Sequence, residues 1–297
     1  MNPEELSRAS CYEEFELLLT LQALQGKRKK VFNKIANYRD DVAFCIPIKA
    51  GFVWFSKRSL NRIEAPQEIS GDFDCSGCYS LASLEGAPQK VGRSFWCTNC
   101  SSLASLEGAP RKVGKNFSCY KCSSLTSLKG ASQDVNGDFS CSSCSSLTSL
   151  EGAPEKVSRF FWCTDCSSLA SLEGAPEKVG GGFDCSSCSS LTSLEGSPQK
   201  VGGGFWCSGC SSLTSLKGAP EKVGGNFDCS LCRLLSSLAG APQKIRGDFD
   251  CSYCNSLTFF EGAPKKVGGN FYCSYSSSLT SLEIERLKKI RSYKIVS

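Results

Sequence analysis

The stretch FWCTNCSSLASLEGAP, Phe95–Pro110, decides how this chain is read, because close copies of it recur along most of the 297 residues. Phenylalanine stands at 73, 95, 117, 139, 161, 183, 205, 227, 249 and 271, always 22 residues apart with no insertion or deletion. Counting from each Phe, Cys recurs two and five residues later and Leu or Phe eight and eleven later; then come Gly-Ala-Pro, a variable residue, Lys, and Val or Ile. The consensus is F-x-C-S-x-C-S-S-L-T-S-L-E-G-A-P-x-K-V-G-G-x. A strict period of this length marks a stacked repeat architecture, in which each unit buries its apolar face only against its neighbours.

A unit this short does not hold a helix pair and fits one coil of a solenoid. Phe and the first Cys are two apart, which puts both on one face of a short strand and the residue between them on the other. Gly-Ala-Pro and Gly-Gly supply the corners, since Pro fixes φ and Gly accepts positive φ. The expected fold is a parallel β-sheet solenoid of about eleven coils, roughly 50 Å long at the usual strand spacing. Its ends are degenerate. Around Phe52, Trp54 and Lys57 stand in for the two cysteines, and in the last unit Ser276 replaces the second Cys.

Outside the repeats, Asn2-Pro3 with Glu5 resembles a helix N-cap, Phe15, Leu18 and Leu19 share a helical face, and Gly26 ends it. A second, basic helix is expected from Arg28 to Tyr38, and Ile284, Leu287 and Ile290 recur at helical spacing. The expected organisation is therefore an N-terminal helical cap at 1–51, a solenoid at 52–284 and a short helical C-terminal cap at 285–297. The two caps read as lids over the first and last coils, and the basic 27–34 run is the part of them that could contact an acidic surface.

The pattern Phe95, Cys97, Cys100, Leu103, Leu106 resembles the leucine-rich repeat, in its cysteine-containing variant. It is similar to arrays found in bacterial and phage proteins, and the resemblance covers about residues 52–284. One departure is that Val91 lies four residues before Phe95 rather than three. Leucine-rich repeats are mostly protein-binding scaffolds, so the resemblance implies a non-enzymatic protein-binding role, with microbial host interaction as one setting.

Composition excludes several chemistries. The chain has no histidine, so neither a Ser–His nor a Cys–His pair nor a His metal ligand is available. No phosphate-binding G-x-x-x-x-G-K-[ST] loop occurs. The net charge of +5 is too small to argue for nucleic acid by itself. No stretch is long and apolar enough for a membrane span. The acidic, polar N-terminus lacks the basic and apolar regions of a secretory signal, which points to a cytoplasmic monomer or to export without a cleaved signal. In a reducing compartment the 21 cysteines are expected to stay free. Nine C-x-x-C pairs would suit zinc, but here Phe and Leu flank the thiols, and small buried hydrophobes are the simpler reading. Accordingly no metal, cofactor or catalytic residue is assigned.

In so strict a repeat the variable positions carry the information. The residue after each Phe reads Asp74, Trp96, Ser118, Ser140, Trp162, Asp184, Trp206, Asp228, Asp250 and Tyr272. Alternation turns it outward, together with the residue before each Phe, which adds Asp72, Asn116, Asp138 and Phe160. The expected partner-binding residues are the anchors Trp96, Phe160, Trp162, Trp206 and Tyr272, with Asp74, Asp184, Asp228 and Asp250 setting a preference for a basic or neutral protein surface over nucleic acid. Carbohydrate binding, a purely structural or ice-binding rod, and a zinc or thiol store are the alternatives. Lysines are expected at the Pro-x-Lys-Val corners.

Overall fold

The computed structural model describes residues 63, 65–290 and 294–296 and, as backbone, the strands Phe44–Ile48 and Gly51–Phe55; at 286–290 the backbone alone is described. It is a parallel β-solenoid of about ten coils with the expected 22-residue period. The body holds two sheets rather than one. Each coil contributes a two-residue strand at Lys-Val, such as Lys156–Val157, and a second at Phe-x, such as Phe161–Trp162. The first kind stacks into a ten-stranded sheet and the second into an eleven-stranded sheet, with like positions in register, as in Val157↔Val179 and Phe161↔Phe183.

The Pro-x-Lys-Val segment therefore forms a sheet of its own and is not a corner. The spacing that departed from the leucine-rich pattern is the physical reason. Val157 and Phe161 both point inward and are fully buried, and the three residues between them turn the chain from one sheet to the other. The Lys of each strand faces solvent while its Val is buried, as two-residue alternation requires.

The core is a set of ladders running through the coils. Ten phenylalanines, Phe73 to Phe271, are its largest fully buried side chains, and adjacent rings lie 4.9–5.6 Å apart. Such contacts are worth about 0.5–1.5 kcal/mol each beyond the area they bury. Beside them run both cysteine ladders and both leucine ladders, nearly all at or near zero exposure; in the last coil Leu279 is half-buried and Leu282 exposed.

The C-x-x-C spacing follows from a tight turn. Its second intervening residue adopts positive φ, as at Asn99 (59°) and Asp165 (57°), which turns the second Cys back inward. Farther along, Ser171 Oγ accepts the Glu173 N–H (3.0 Å), and the same serine turn recurs at Ser83 and Ser215.

The helices expected at Asn2–Gly26 and Arg28–Tyr38 lie outside the described residues. Within the expected helical cap, Phe44–Ile48 is instead a strand. It pairs antiparallel with Gly51–Phe55, from Phe44↔Phe55 to Ile48↔Gly51. The hairpin thus crosses the expected boundary at 51/52, and its second strand lies next to Phe73–Asp74, where a further coil would sit. Upstream of Phe52 the corner sequence is missing and Cys45-Ile46-Pro47-Ile48 stands in its place.

At the other end the expected short helix is present as Ser281–Ile290, with Thr280 Oγ1 accepting the Glu283 N–H (3.3 Å) as its N-cap. Lys294–Val296 then returns to the phenylalanine sheet as a last parallel strand, with Phe271↔Ile295 in register, and covers its edge. Among the described residues no helix is long and apolar enough to cross a membrane.

Candidate functional site

The outer face of the phenylalanine sheet carries the expected variable residues, and much of its polarity is spent on holding the coils together. The residue before each Phe forms a ladder in which one coil's side chain accepts a backbone N–H from the next coil. Asp72 takes the Ser94 N–H (2.8 Å), Asn116 that of Asp138 (3.0 Å), and Asp138 that of Phe160 (3.1 Å). The ladder resumes with Asn226 to Asp248 (2.9 Å) and Asp248 to Asn270 (2.7 Å).

The aspartates after Phe serve their own turns. Asp74, Asp184, Asp228 and Asp250 each accept the N–H of the serine two residues on, at 2.8–2.9 Å. These are Asx-turns, and they explain why Asp or Ser suits this position independently of any partner. All four are half-buried, and burial pushes the Asp184 and Asp228 carboxyls up from the usual carboxylate range.

Between its two stretches the polar ladder is interrupted at Phe160, Gly182 and Gly204. An aromatic cluster fills the gap. Phe160 stacks on Trp162 (centroids 5.3 Å, planes 7° apart) and also meets Trp206 (6.5 Å, 25°). The rings lie over the two glycines, which are buried beneath them, and a Cβ on Gly204 would stand 2.5 Å from the Trp206 ring. Asp184 lies in register between Trp162 and Trp206.

The structure thus brings Phe160, Trp162, Asp184 and Trp206 into one patch. Trp96 stands apart, three coils toward the N-terminus from Trp162, beside Asp74 and Ser118. Tyr272 lies three coils beyond Trp206, its hydroxyl accepting from Asn270 Nδ2 (2.9 Å). Asp228 adjoins Trp206 and Asp250.

Two features of this face escaped the sequence reading. One is the glycine gap, whose only signal is the Gly-Gly-Gly run at 180–182 and again at 202–204. The other is basic charge: Arg93 reaches Asp72 (3.7 Å) and Arg159 reaches Asp138 (3.8 Å) from one residue outside the positions singled out.

The cysteines are free thiols in all nineteen described cases, and all are buried. Each ladder is hydrogen-bonded to the backbone of a neighbouring coil. The Cys97 thiol donates to the Ser118 carbonyl of the next coil (3.5 Å), and the Cys122 thiol donates to the Cys97 carbonyl of the preceding one (3.1 Å). In the last coil the Ser276 hydroxyl makes the same bond, to the Cys251 carbonyl (3.2 Å), so the second-ladder position calls for a small donor rather than for sulfur chemistry. Among the described residues no group of three or more His, Cys, Asp or Glu could hold a metal ion.

A thiol reagent added to the native protein is expected to label no more than two cysteines, the two outside the nineteen, and all 21 after denaturation. Mass spectrometry of the labelled chain reads the difference, and rapid native labelling of the repeats would contradict the buried ladders. No family model, curated protein or solved structure matches the chain.

Proposed function

We propose that this solenoid is a non-enzymatic scaffold that binds a protein partner on the outer face of its phenylalanine sheet, centred on Phe160, Trp162 and Trp206. The observation that carries the reading is the aromatic plate itself. Three large rings are gathered over two buried glycines on a face that is otherwise built from polar ladders. Packing the coils does not need them, because neighbouring coils close the same position with Asp, Asn or Ser. Half-exposed Trp residues are the side chains that most often dominate protein interfaces. Asp138, Asp184 and Asp228 border the plate, which suits a neutral or basic partner surface. Buried free thiols fit action in a reducing compartment such as the cytoplasm.

The test is affinity capture with the wild type, with a Trp162→Ser/Trp206→Ser double variant, and with Trp96→Ser as a variant outside the plate. A partner held by the plate should lose about 2–4 kcal/mol of binding free energy in the double variant and keep most of its affinity for Trp96→Ser. If every protein captured by the wild type stays bound to the folded double variant, the plate is not the interface.

A further inference from the structure

The second sheet, which that proposal leaves unused, carries a charge pattern that changes halfway along the rod. Its outward residues read Glu68, Lys90, Lys112, Asp134, Lys156, Lys178, Lys200, Lys222, Lys244 and Lys266. In the N-terminal half the signs are mixed. Lys90 pairs with Glu68 (3.2 Å), and Asp134 lies in register between Lys112 and Lys156. From Lys156 onward six lysines follow one another without interruption, about 4.8 Å apart in a parallel sheet.

All six are exposed, and no carboxylate of a described residue lies within 4.0 Å of their ammonium groups. Like charges set directly opposite one another in a sheet are destabilising. The fold neutralises such charges elsewhere, as at Lys129–Glu107 (3.3 Å) and Lys217–Glu195 (2.8 Å). The unpaired half is therefore a cost that packing does not explain.

The same half carries a trough of about 830 Å³ lined by Lys178, Lys200, Lys222, Lys244, Lys266 and Arg246, with Glu221 the single carboxylate among its lining residues. Gly180, Gly202, Gly224 and Gly268 line it as well and put no side chain in the way, while Gln199 offers an amide. No aromatic residue lines it, so the base stacking that single-stranded nucleic acids rely on is unavailable.

We infer that the lysine sheet between Lys156 and Lys266 is a binding site for a linear anionic polysaccharide, lying along the rod axis with its sulfates or carboxylates on the lysine ammoniums. Three observations favour that occupant. The charge repeats at one strand spacing, close to the advance of a chain by one sugar ring. The floor is open enough to admit rings, and the Gln199 amide is at hand for hydroxyls. Lysine ammoniums act as mobile point charges, which suits anions whose exact placement varies from sugar to sugar.

The experiment uses the full chain and a fluorescent heparin oligosaccharide as the probe. Wild-type protein should bind it, more weakly as salt is raised, and Lys200→Glu/Lys222→Glu/Lys244→Glu should weaken binding by about tenfold or more. Lys90→Glu/Lys112→Glu, in the half where Glu68 and Asp134 already interrupt the outward row, should change it by less than about twofold. Circular dichroism and melting of each variant establish that it is folded, which exposed lysines allow. Absence of wild-type binding, equal losses in both variants, or equal binding of uncharged dextran would each overturn the assignment. Tighter binding of a poly-dT strand or of inorganic polyphosphate at matched charge would overturn the polysaccharide and identify a phosphate polymer instead.

Discussion

Raising the pH from about 8 to about 10 under reducing conditions is expected to unfold the solenoid in one steep step. The first-ladder thiols, Cys75, Cys97, Cys119, Cys141, Cys163, Cys185, Cys207, Cys229 and Cys251, all have their ionisation pushed up. Burial is the leading cause at Cys97, Cys141, Cys163, Cys185, Cys207, Cys229 and Cys251. At Cys75 and Cys119 the hydrogen bond with Cys100 or Cys144 comes first and burial adds to it.

In the unfolded chain a thiol ionises near pH 8.5, so above about that pH the unfolded state gives up protons that the folded state keeps. Below it this contribution is fully present and constant; above it, stability falls as pH rises. Nine thiols at about 1.4 kcal/mol each give a slope of about 12 kcal/mol per pH unit. A typical domain is stable by only about 5–15 kcal/mol, so the transition should lie within about one to two pH units of the thiol range. Urea-unfolding midpoints measured across this range provide the check. A midpoint that stays level to pH 10 would mean that the ladders are not buried as protonated thiols.

Gly174→Ala is expected to cost about 2–5 kcal/mol, for two separable reasons. Gly174 sits at φ +86, where a Cβ is strained, and that Cβ would stand 2.6 Å from Glu151 N and Cα and 2.7 Å from Leu150 C in the preceding coil. Coils meet only their neighbours, so the coil cannot relax away without opening that interface. Gly209→Ala separates the two effects. Gly209 has φ +69, but its Cβ would meet nothing nearer than Ser187 Oγ at 3.5 Å. Other coils place Asn99, Ser143, Asp165 and even Leu231 at the same turn with φ between 57° and 61°. That substitution should cost only about 1–2 kcal/mol. Equal shifts in the urea midpoint for the two variants would show that inter-coil approach is not what demands glycine after Glu173.

The repeat was legible because its constraints are local and repeated. A Phe every 22 residues, with Cys and Leu at constant offsets, specifies which side chains enter the core and so the stacking of the coils. The burial of the cysteines was readable for the same reason, as was the outward turn of the residue after Phe. The split into two sheets was less so. It depends on whether Lys156–Val157 finds ladder partners in the coils on either side, which is a property of the stack and not of one unit.

The candidate site divides along the same line. That Trp162 and Trp206 face outward follows from alternation along a strand. That they share a plate with Phe160, while Trp96 and Tyr272 do not, depends on Gly182 leaving room in the intervening coil and Gly204 in the coil of Trp206 itself. Asp184 and Asp228 looked like recognition charges, yet their first duty is to a backbone N–H two residues away, which only the turn geometry reveals. The lysines were visible one by one, and their union into an uninterrupted ladder beside a trough came from in-register stacking. By itself the sequence determined the period, the core and the outward positions, because side-chain alternation and corner residues act within one coil. The tertiary structure decided which outward residues meet, because every such meeting joins positions 22 or more residues apart across the stack.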